Sequence, residues 1–332
     1  MAPMKALITG GAGYIGSTVA SACTDAGIDV VLLDDLSTGR SAFGEGRELY
    51  EGDIADVTLL DRIVDEHPDI DLVIHCAARI VVPESVADPL GYYDVNVGRT
   101  ITLIRHLADR GITRVLFSSS AAVYRGDSGG GVDETGEIAP GSPYANTKWL
   151  VEQILRDAAA AGEIRAIALR YFNPIGADPQ LRTGLQNPAP SHALGKIMTA
   201  RDAGIPFTIT GTDWDTRDGS GLRDYIHVWD LARAHVAAVQ RFDDIAKQDT
   251  PYVAMNVGTG DGVTVRELVD AFDRVTGEHL EVVEGPRRPG DQAGAFALVG
   301  RAEQALGWKA ERTVDEGVRD ALAWAEKLKT LG

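Results

Sequence analysis

The chain has 332 residues, 44% of them hydrophobic and 24% charged, enough for a full core plus a second lobe. Its formal charge of −17 opposes any nucleic-acid or anionic-membrane surface, which needs clustered cations, and no apolar run approaches the roughly 18 residues of a membrane span. Cys23 and Cys76 lack a Cys-x-x-Cys partner or metal-ligand spacing, and the start of the chain has no secretory pattern, so a reduced, metal-free, cytoplasmic protein is expected.

Taken in chain order, apolar runs rich in branched residues recur at KALIT (5–9), DVVLL (29–33), LVIHCA (72–77), RVLFSSS (114–120) and IRAIALRYF (164–172). Helical spacing fills the intervals at 15–26, 56–66, 94–110 and 145–161. Strand and helix in alternation predict an α/β protein whose parallel sheet is doubly wound, with helices on both faces. Near residue 173 the alternation fails, in NPIGADPQLRTGLQNPAPSHA, and a second, smaller α/β domain begins. WDLARAHVAAV and YVAMNVG then return to helix and strand, so the boundary is discontinuous. The expected domains are 1–173 plus 224–258, and 174–223 plus 259–332.

ALITGGAGYIGSTVASACTDAG places a strand, a glycine turn and a helix in succession. Gly11, Gly13 and Gly16 fit G-x-G-x-x-G, and Gly10, Gly13 and Gly16 fit G-x-x-G-x-x-G. Glycine is required there because the turn needs unusual backbone angles and a pyrophosphate must approach the helix amino terminus closely. The second strand ends at Asp34, eighteen residues after Gly16, where a carboxylate meets the adenosine ribose hydroxyls of a dinucleotide. These features predict a Rossmann domain. Asp34 followed by Asp35 repels a 2′-phosphate, which favours NAD over NADP. Asp53, after the next strand, reads either as an adenine contact or as a plain turn acid.

SPYANTKWLVEQIL (142–155) sets Tyr144 and Lys148 four residues apart on one helical face, and the serine strand brings Ser120 to the carboxyl edge of the sheet. A phenol, an ammonium and a hydroxyl beside a nicotinamide make a proton-transfer site for alcohol oxidation. Tyrosine titrates near 10, so it serves as a base only where positive charge stabilises its phenolate. Lys148 and the nicotinamide ring can supply that charge.

The glycine turn, the serine strand, Y-x-x-x-K, YFNP (171–174) and RDYIHVWDLA (223–232) together resemble the extended short-chain dehydrogenase/reductase family, in its nucleotide-sugar 4-epimerase branch, over almost the whole chain. The resemblance implies 4-epimerisation of a UDP-hexose, UDP-glucose/UDP-galactose or their N-acetylated forms, by transient C4 oxidation, with NAD tightly held and regenerated each cycle. It makes Tyr144 the base, Lys148 its tuner and holder of the nicotinamide ribose, and Ser120 an assisting hydroxyl. It assigns NAD to Gly10, Gly13, Tyr14, Ile15, Gly16, Asp34, Asp35, Asp53, Ile54, Ala77, Ala78, Arg79, Tyr144 and Lys148. It assigns the UDP-sugar to Ser120, Tyr144, Asn173, His192, Thr210, Arg223, Arg288, Asp291 and Ala295. Arg223 and Arg288 suit a diphosphate through bidentate geometry, and Asp291 the uridine ribose. Helices 94–110 and 145–161 correspond to the four-helix bundle of a homodimer in that family.

The chain departs from the family pattern at named positions. A lysine that contacts cofactor phosphate is replaced by Ile80, with Arg79 beside it to substitute. Val95-Asn96 stands for a pair of asparagines, Thr210 for a uracil-side aromatic, and His192-Ala193 for Asn-Leu. Ala295 falls where a side chain lines the pocket for the sugar 2-position, and its small size implies room for an N-acetyl group. Ser120-Ala121-Ala122 lacks the acid pair of sugar-nucleotide dehydratases. A 4-epimerase or reductase acting on another nucleotide sugar, such as a uronate or pentose, and a non-catalytic NAD-binding regulator are the alternatives.

Overall fold

The computed structural model describes residues 4–126, 129–187, 190, 192–287 and 292–331. The first half follows the expected alternation: β1 (Lys5–Thr9), α1 (Tyr14–Asp25), β2 (Asp29–Asp34), β3 (Glu48–Glu51), α2 (Val57–Glu66), β4 (Ile70–His75), α3 (Val82–Ala87), α4 (Pro89–Tyr93), α5 (Arg99–Asp109), β5 (Arg114–Ser120), β6 (Gly131–Val132), α6 (Pro143–Ala160) and β7 (Arg165–Tyr171). Then come β8 (Asn173–Ile175), α7 (Ala193–Ala203), β9 (Phe207–Thr210), β10 (Leu222–Arg223), β11 (Tyr225–His227), α8 (Val228–Gln240), α9 (Phe242–Ile245) and β12 (Tyr252–Val257). The chain finishes through β13 (Val263–Thr264), α10 (Val265–Thr276), β14 (Val282–Gly285), β15 (Gly294–Ala297), α11 (Gly300–Leu306) and α12 (Val314–Leu328).

The main sheet has seven strands in the order β12-β7-β5-β4-β1-β2-β3, and every pairing is parallel. Alternate residues of each strand serve opposite faces. Ile8, Ile74 and Leu116 pack with Val19 of α1 and Leu231 of α8, while Leu7, Val73 and Phe117 pack with Leu60 of α2, Leu107 of α5 and Leu155 of α6. Burial on both faces is why these strands read as continuous apolar runs. Strand order reverses at β1 and β4, and ligands of such sheets lie beyond the carboxyl ends of the strands there.

The remaining strands form a mixed sheet, β13-β10-β15-β6, and two parallel pairs, β8 with β11 and β9 with β14. A separate core of Ile197, Phe207, Ile209, Leu268, Phe272 and Val318 sits among α7, α10 and α12. The short strand β6, from inside the first expected segment, pairs with β15. We propose the discontinuous division 1–173 plus 224–258 and 174–223 plus 259–332, with β6 reaching across it. The expected single helix 94–110 is instead a π-helical turn, Asp94–Gly98, followed by α5. Among the described residues no helix is long and apolar enough to cross a membrane.

Candidate active site

The turn between β1 and α1 is built for close approach. Gly10 has φ +68°, and a Cβ on it would lie 2.7 Å from Ala77 N; a Cβ on Gly16 would lie 2.1 Å from Gly10 O. Gly13 caps α1 with no side chain over the first turn, so the N–H groups at Tyr14 and Ile15 and the helix dipole point at the space beyond β1. Such a cradle fits the pyrophosphate of a dinucleotide. Ala77 and Ala78 carry the chain past it from the end of β4. The Tyr14 phenol is engaged elsewhere, donating to Gly176 O at 2.7 Å.

Asp34 ends β2 inside the same crevice. Its two oxygens accept N–H bonds from Ala12 at 2.9 Å and Leu36 at 2.8 Å, which fix the carboxylate and leave lone pairs for a ribose. Burial raises its pKa against the pull of those bonds. Asp35 is exposed and accepts from Ser37 N–H at 2.9 Å. Asp53 accepts from Ala55 N–H at 2.9 Å and is ion-paired with Arg99, the bonding of a turn acid; Ile54 is buried in the core beneath it.

Arg79 differs from expectation. Its guanidinium is bonded to Asp88 at 2.7 Å and lies 4.4 Å from the centroid of the Tyr92 ring, so it does not stand in for the missing lysine as free positive charge. The cause is local: α3 and α4 present Glu84, Asp88 and Tyr92 within its reach. Ile80 is 61% exposed. The backbone of Arg79 is held by Asn96, which accepts from Arg79 N–H at 2.8 Å and donates to Arg79 O at 2.9 Å and to Thr147 Oγ1 at 3.0 Å.

Tyr144 and Lys148 occupy the first turns of α6, whose start is set by Ser142 accepting from Ala145 N–H at 3.2 Å. Both are buried, at 8% and 3% exposure. Lys148 Nζ donates to Ser118 O at 2.9 Å and lies 4.9 Å from the Phe117 ring centroid. Ser120 accepts from Ala122 N–H at 3.1 Å, and its hydroxyl lies beside the Tyr144 phenol.

The electrostatics correct one expectation. Burial pushes Tyr144 up to about 12, with Ser120 pulling the other way, and pushes Lys148 down to about 8, opposed by Cys76 and Glu152. In the protein alone, desolvation outweighs any stabilisation of the phenolate by Lys148, because the ammonium is turned to the Ser118 carbonyl. A base role for Tyr144 therefore needs positive charge beyond what the protein alone brings to the phenol.

Two buried networks flank this trio, and neither was expected from the sequence. Glu152, one turn beyond Lys148 on α6, bonds Arg170 at 2.6 Å and accepts from Ser119 and, at 2.9 Å, from Tyr252. Arg170 passes the chain to Tyr124 at 2.7 Å, and Tyr124 donates to Asn256 at 2.7 Å. On the other face of β5, Ser118 Oγ lies 2.9 Å from His235 Nε2 and 3.2 Å from Cys76 Sγ. His235 Nδ1 faces Leu231 O at 2.9 Å, which fixes its tautomer and makes Ser118 the donor to Nε2. Continuing the Tyr144, Lys148 spacing by four would have found Glu152; nothing local marked Arg170 or His235.

On the substrate side, β10 pairs in parallel with β15 so that Arg223 stands opposite Ala295. Arg223 Nη1 donates to Leu222 O at 2.6 Å and Ala293 O at 3.2 Å. Asn173 is exposed on β8, and its N–H donates to Asp224 O at 2.9 Å, beside Arg223. Thr210 is half-buried at the end of β9, paired with Gly285. His192 is a helix cap: Nδ1 accepts from Gly195 N–H at 3.1 Å, and burial pushes it down to about 4. Arg288 and Asp291 lie outside the described residues.

A family model described as NAD dependent epimerase/dehydratase matches residues 6–258. The chain belongs to that family. A UDP-glucose 4-epimerase of Azospirillum brasilense is 44% identical over 98% of this chain and 93% of its own. One of Rhizobium meliloti is 40% identical over 96% of each. The crystal structure of a UDP-glucose 4-epimerase from Stenotrophomonas maltophila, with bound NAD and formylated UDP-arabinopyranose, superposes with a TM-score of 0.93 at 36% identity, covering 99% of this chain and 100% of that one. The cofactor of this family member is NAD, and the uncapped start of α1, the glycine cradle and Asp34 fit it.

Proposed function

We propose that the chain is a UDP-glucose 4-epimerase, interconverting UDP-glucose and UDP-galactose by oxidising C4 and reducing it again on the other face. The observation that carries this reading is the buried trio of Tyr144, Lys148 and Ser120 at the carboxyl edge of β5, in a family member that matches such epimerases over nearly its whole length. Bound NAD supplies a hydride acceptor that returns the hydride within the same turnover. Tyr144 takes the proton of the sugar 4-hydroxyl as the C4 hydride leaves, and gives it back when the 4-keto sugar is reduced. Ser120 hydrogen-bonds the same oxygen and keeps the phenol oriented. Lys148 is held by Ser118 O, so its ammonium has one fixed place beside the reacting groups.

The nucleotide is gripped and the sugar is left free to turn. Arg223 binds the diphosphate with Asn173 beside it. Ala295, opposite Arg223, leaves the sugar 2-position roomy enough for an N-acetyl group. Two copies associate through α5 and α6, where Leu150 is 40% exposed, to give a homodimer in the cytoplasm.

Proton NMR of the purified protein with UDP-glucose, repeated with UDP-N-acetylglucosamine, tests both parts. Growth of the galacto anomeric signal from both substrates is expected. Absence of any epimer would overturn the activity, and turnover of UDP-glucose alone would overturn the pocket.

A further inference from the structure

The segment Gly176–Gln186 has more anchors than a connecting loop needs. It leaves β8 at the boundary between the two domains and lies along α1 of the first. Gly176 O accepts from the Tyr14 phenol at 2.7 Å, at the end of α1 that faces the pyrophosphate. Thr183, 1% exposed, meets Thr18 at 3.1 Å. Arg182 forks onto Asp25 at 2.7 and 2.9 Å and holds the fully buried Asp178 of the segment itself. The far end reaches the loop after β2: Gln186 Nε2 donates to Thr38 O at 2.9 Å. Thr38 precedes Gly39, where a Cβ would lie 2.7 Å from Asp34 Oδ1, so Gln186 stands at the rim of the ribose carboxylate.

Gln186 carries a second signal. With Nε2 committed to Thr38 O, its Oε1 is a buried acceptor with no partner among the described residues. Leaving a buried acceptor unpaired is costly, which points to a donor that arrives with a ligand beside Asp34.

We infer that Gly176–Gln186 is a latch that retains NAD, with Arg182 as the positioning residue that clamps it to α1 and Gln186 Oε1 accepting a hydrogen bond from the adenosine half of the cofactor. The inference rests on NAD binding at α1 and not on which sugar is turned over. It accounts for a cofactor that stays bound through the catalytic cycle: release requires the second domain to let go of α1 and of the Thr38 loop together.

The test is the rate at which the holoenzyme loses NAD, trapped in solution by alcohol dehydrogenase with ethanol and followed as NADH absorbance. Arg182→Ala and Gln186→Ala should each release NAD about tenfold faster or more, the factor carried by one hydrogen bond to a charged or buried group. Arg274→Ala, which breaks an exposed ion pair with Asp315 far from the cofactor, should release it at the wild-type rate. Wild-type release from folded Arg182→Ala and Gln186→Ala would overturn the latch, and so would equal acceleration by Arg274→Ala. If Arg182→Ala fails to fold, Gln186→Ala decides by the same criterion. A wild type that carries no NAD and takes up none would overturn the latch together with the cofactor assignment.

Discussion

Tyr144 and Lys148 stand one helical turn apart in the same buried wall, and desolvation favours the neutral form of each. For Lys148 this has a stability consequence. Its pKa falls from 10.5 to about 8 on folding, so between those values the unfolded chain binds a proton that the fold does not, and the contribution of this group to stability rises with pH. Below about 8 the fold carries a buried ammonium at a cost. Cofactor-free Lys148→Met should therefore melt above the wild type at pH 7, with the gap closing toward pH 10, while losing activity; thermal melts at the two pH values check the sign. For Tyr144, Ser120 is the group that pulls the phenol pKa down. Ser120→Ala should shift the acid limb of the kcat profile to higher pH, and an unmoved limb would remove Ser120 from that role.

At the scale of elements, the start of α1 is the most demanding part of the fold. A methyl group on Gly16 would sit 2.1 Å from Gly10 O, so Gly16→Ala must spread the turn that the pyrophosphate approaches. The NAD content of purified Gly16→Ala, read after acid release, should fall to a small fraction of the wild type. This element was legible because its constraints are local: glycine spacing, a flanking strand and an acid at the end of the next. The five apolar strands were legible for a related reason, since burial on both faces leaves a continuous run such as Ala166–Leu169. The turn Asp94–Gly98 was not. Its π-helical winding breaks the 3.6-residue period to aim Asn96 inward at Arg79 and Thr147, and only those distant partners show why. Arg79 was misjudged similarly, because Asp88 becomes its partner only once α3 and α4 have folded. That Tyr144, Lys148 and Ser120 lie together was readable from spacing and strand position, whereas the direction of the Tyr144 and Lys148 pKa shifts depends on a burial that no local pattern reports.

Across the whole molecule, strands and helices far apart in the chain are tied by polar groups that a sequence reading places on separate elements. The Glu152–Arg170 pair, at 0% and 3% side-chain exposure, links α6 to β7 and, through Tyr124 and Asn256, to β12 and to Val132 O on β6. Arg170→Met strands the Glu152 charge in the core and should cost about 3–5 kcal/mol in chemical denaturation, whereas Arg170→Met combined with Glu152→Gln should recover most of it. Equal losses in the single and double variants would mean that the pair acts by packing alone. In the function proposed above, this framework serves one event, the passage of a proton through Tyr144 while hydride leaves and returns at C4. The most direct test is proton NMR of UDP-glucose with the purified protein and no added NAD, run side by side for wild type and Tyr144→Phe. The account predicts a growing galacto anomeric signal for the wild type, and a rate lower by about 10²-fold or more for the variant, whose buried ring is otherwise unchanged. A Tyr144→Phe enzyme that epimerises as fast as the wild type would contradict it.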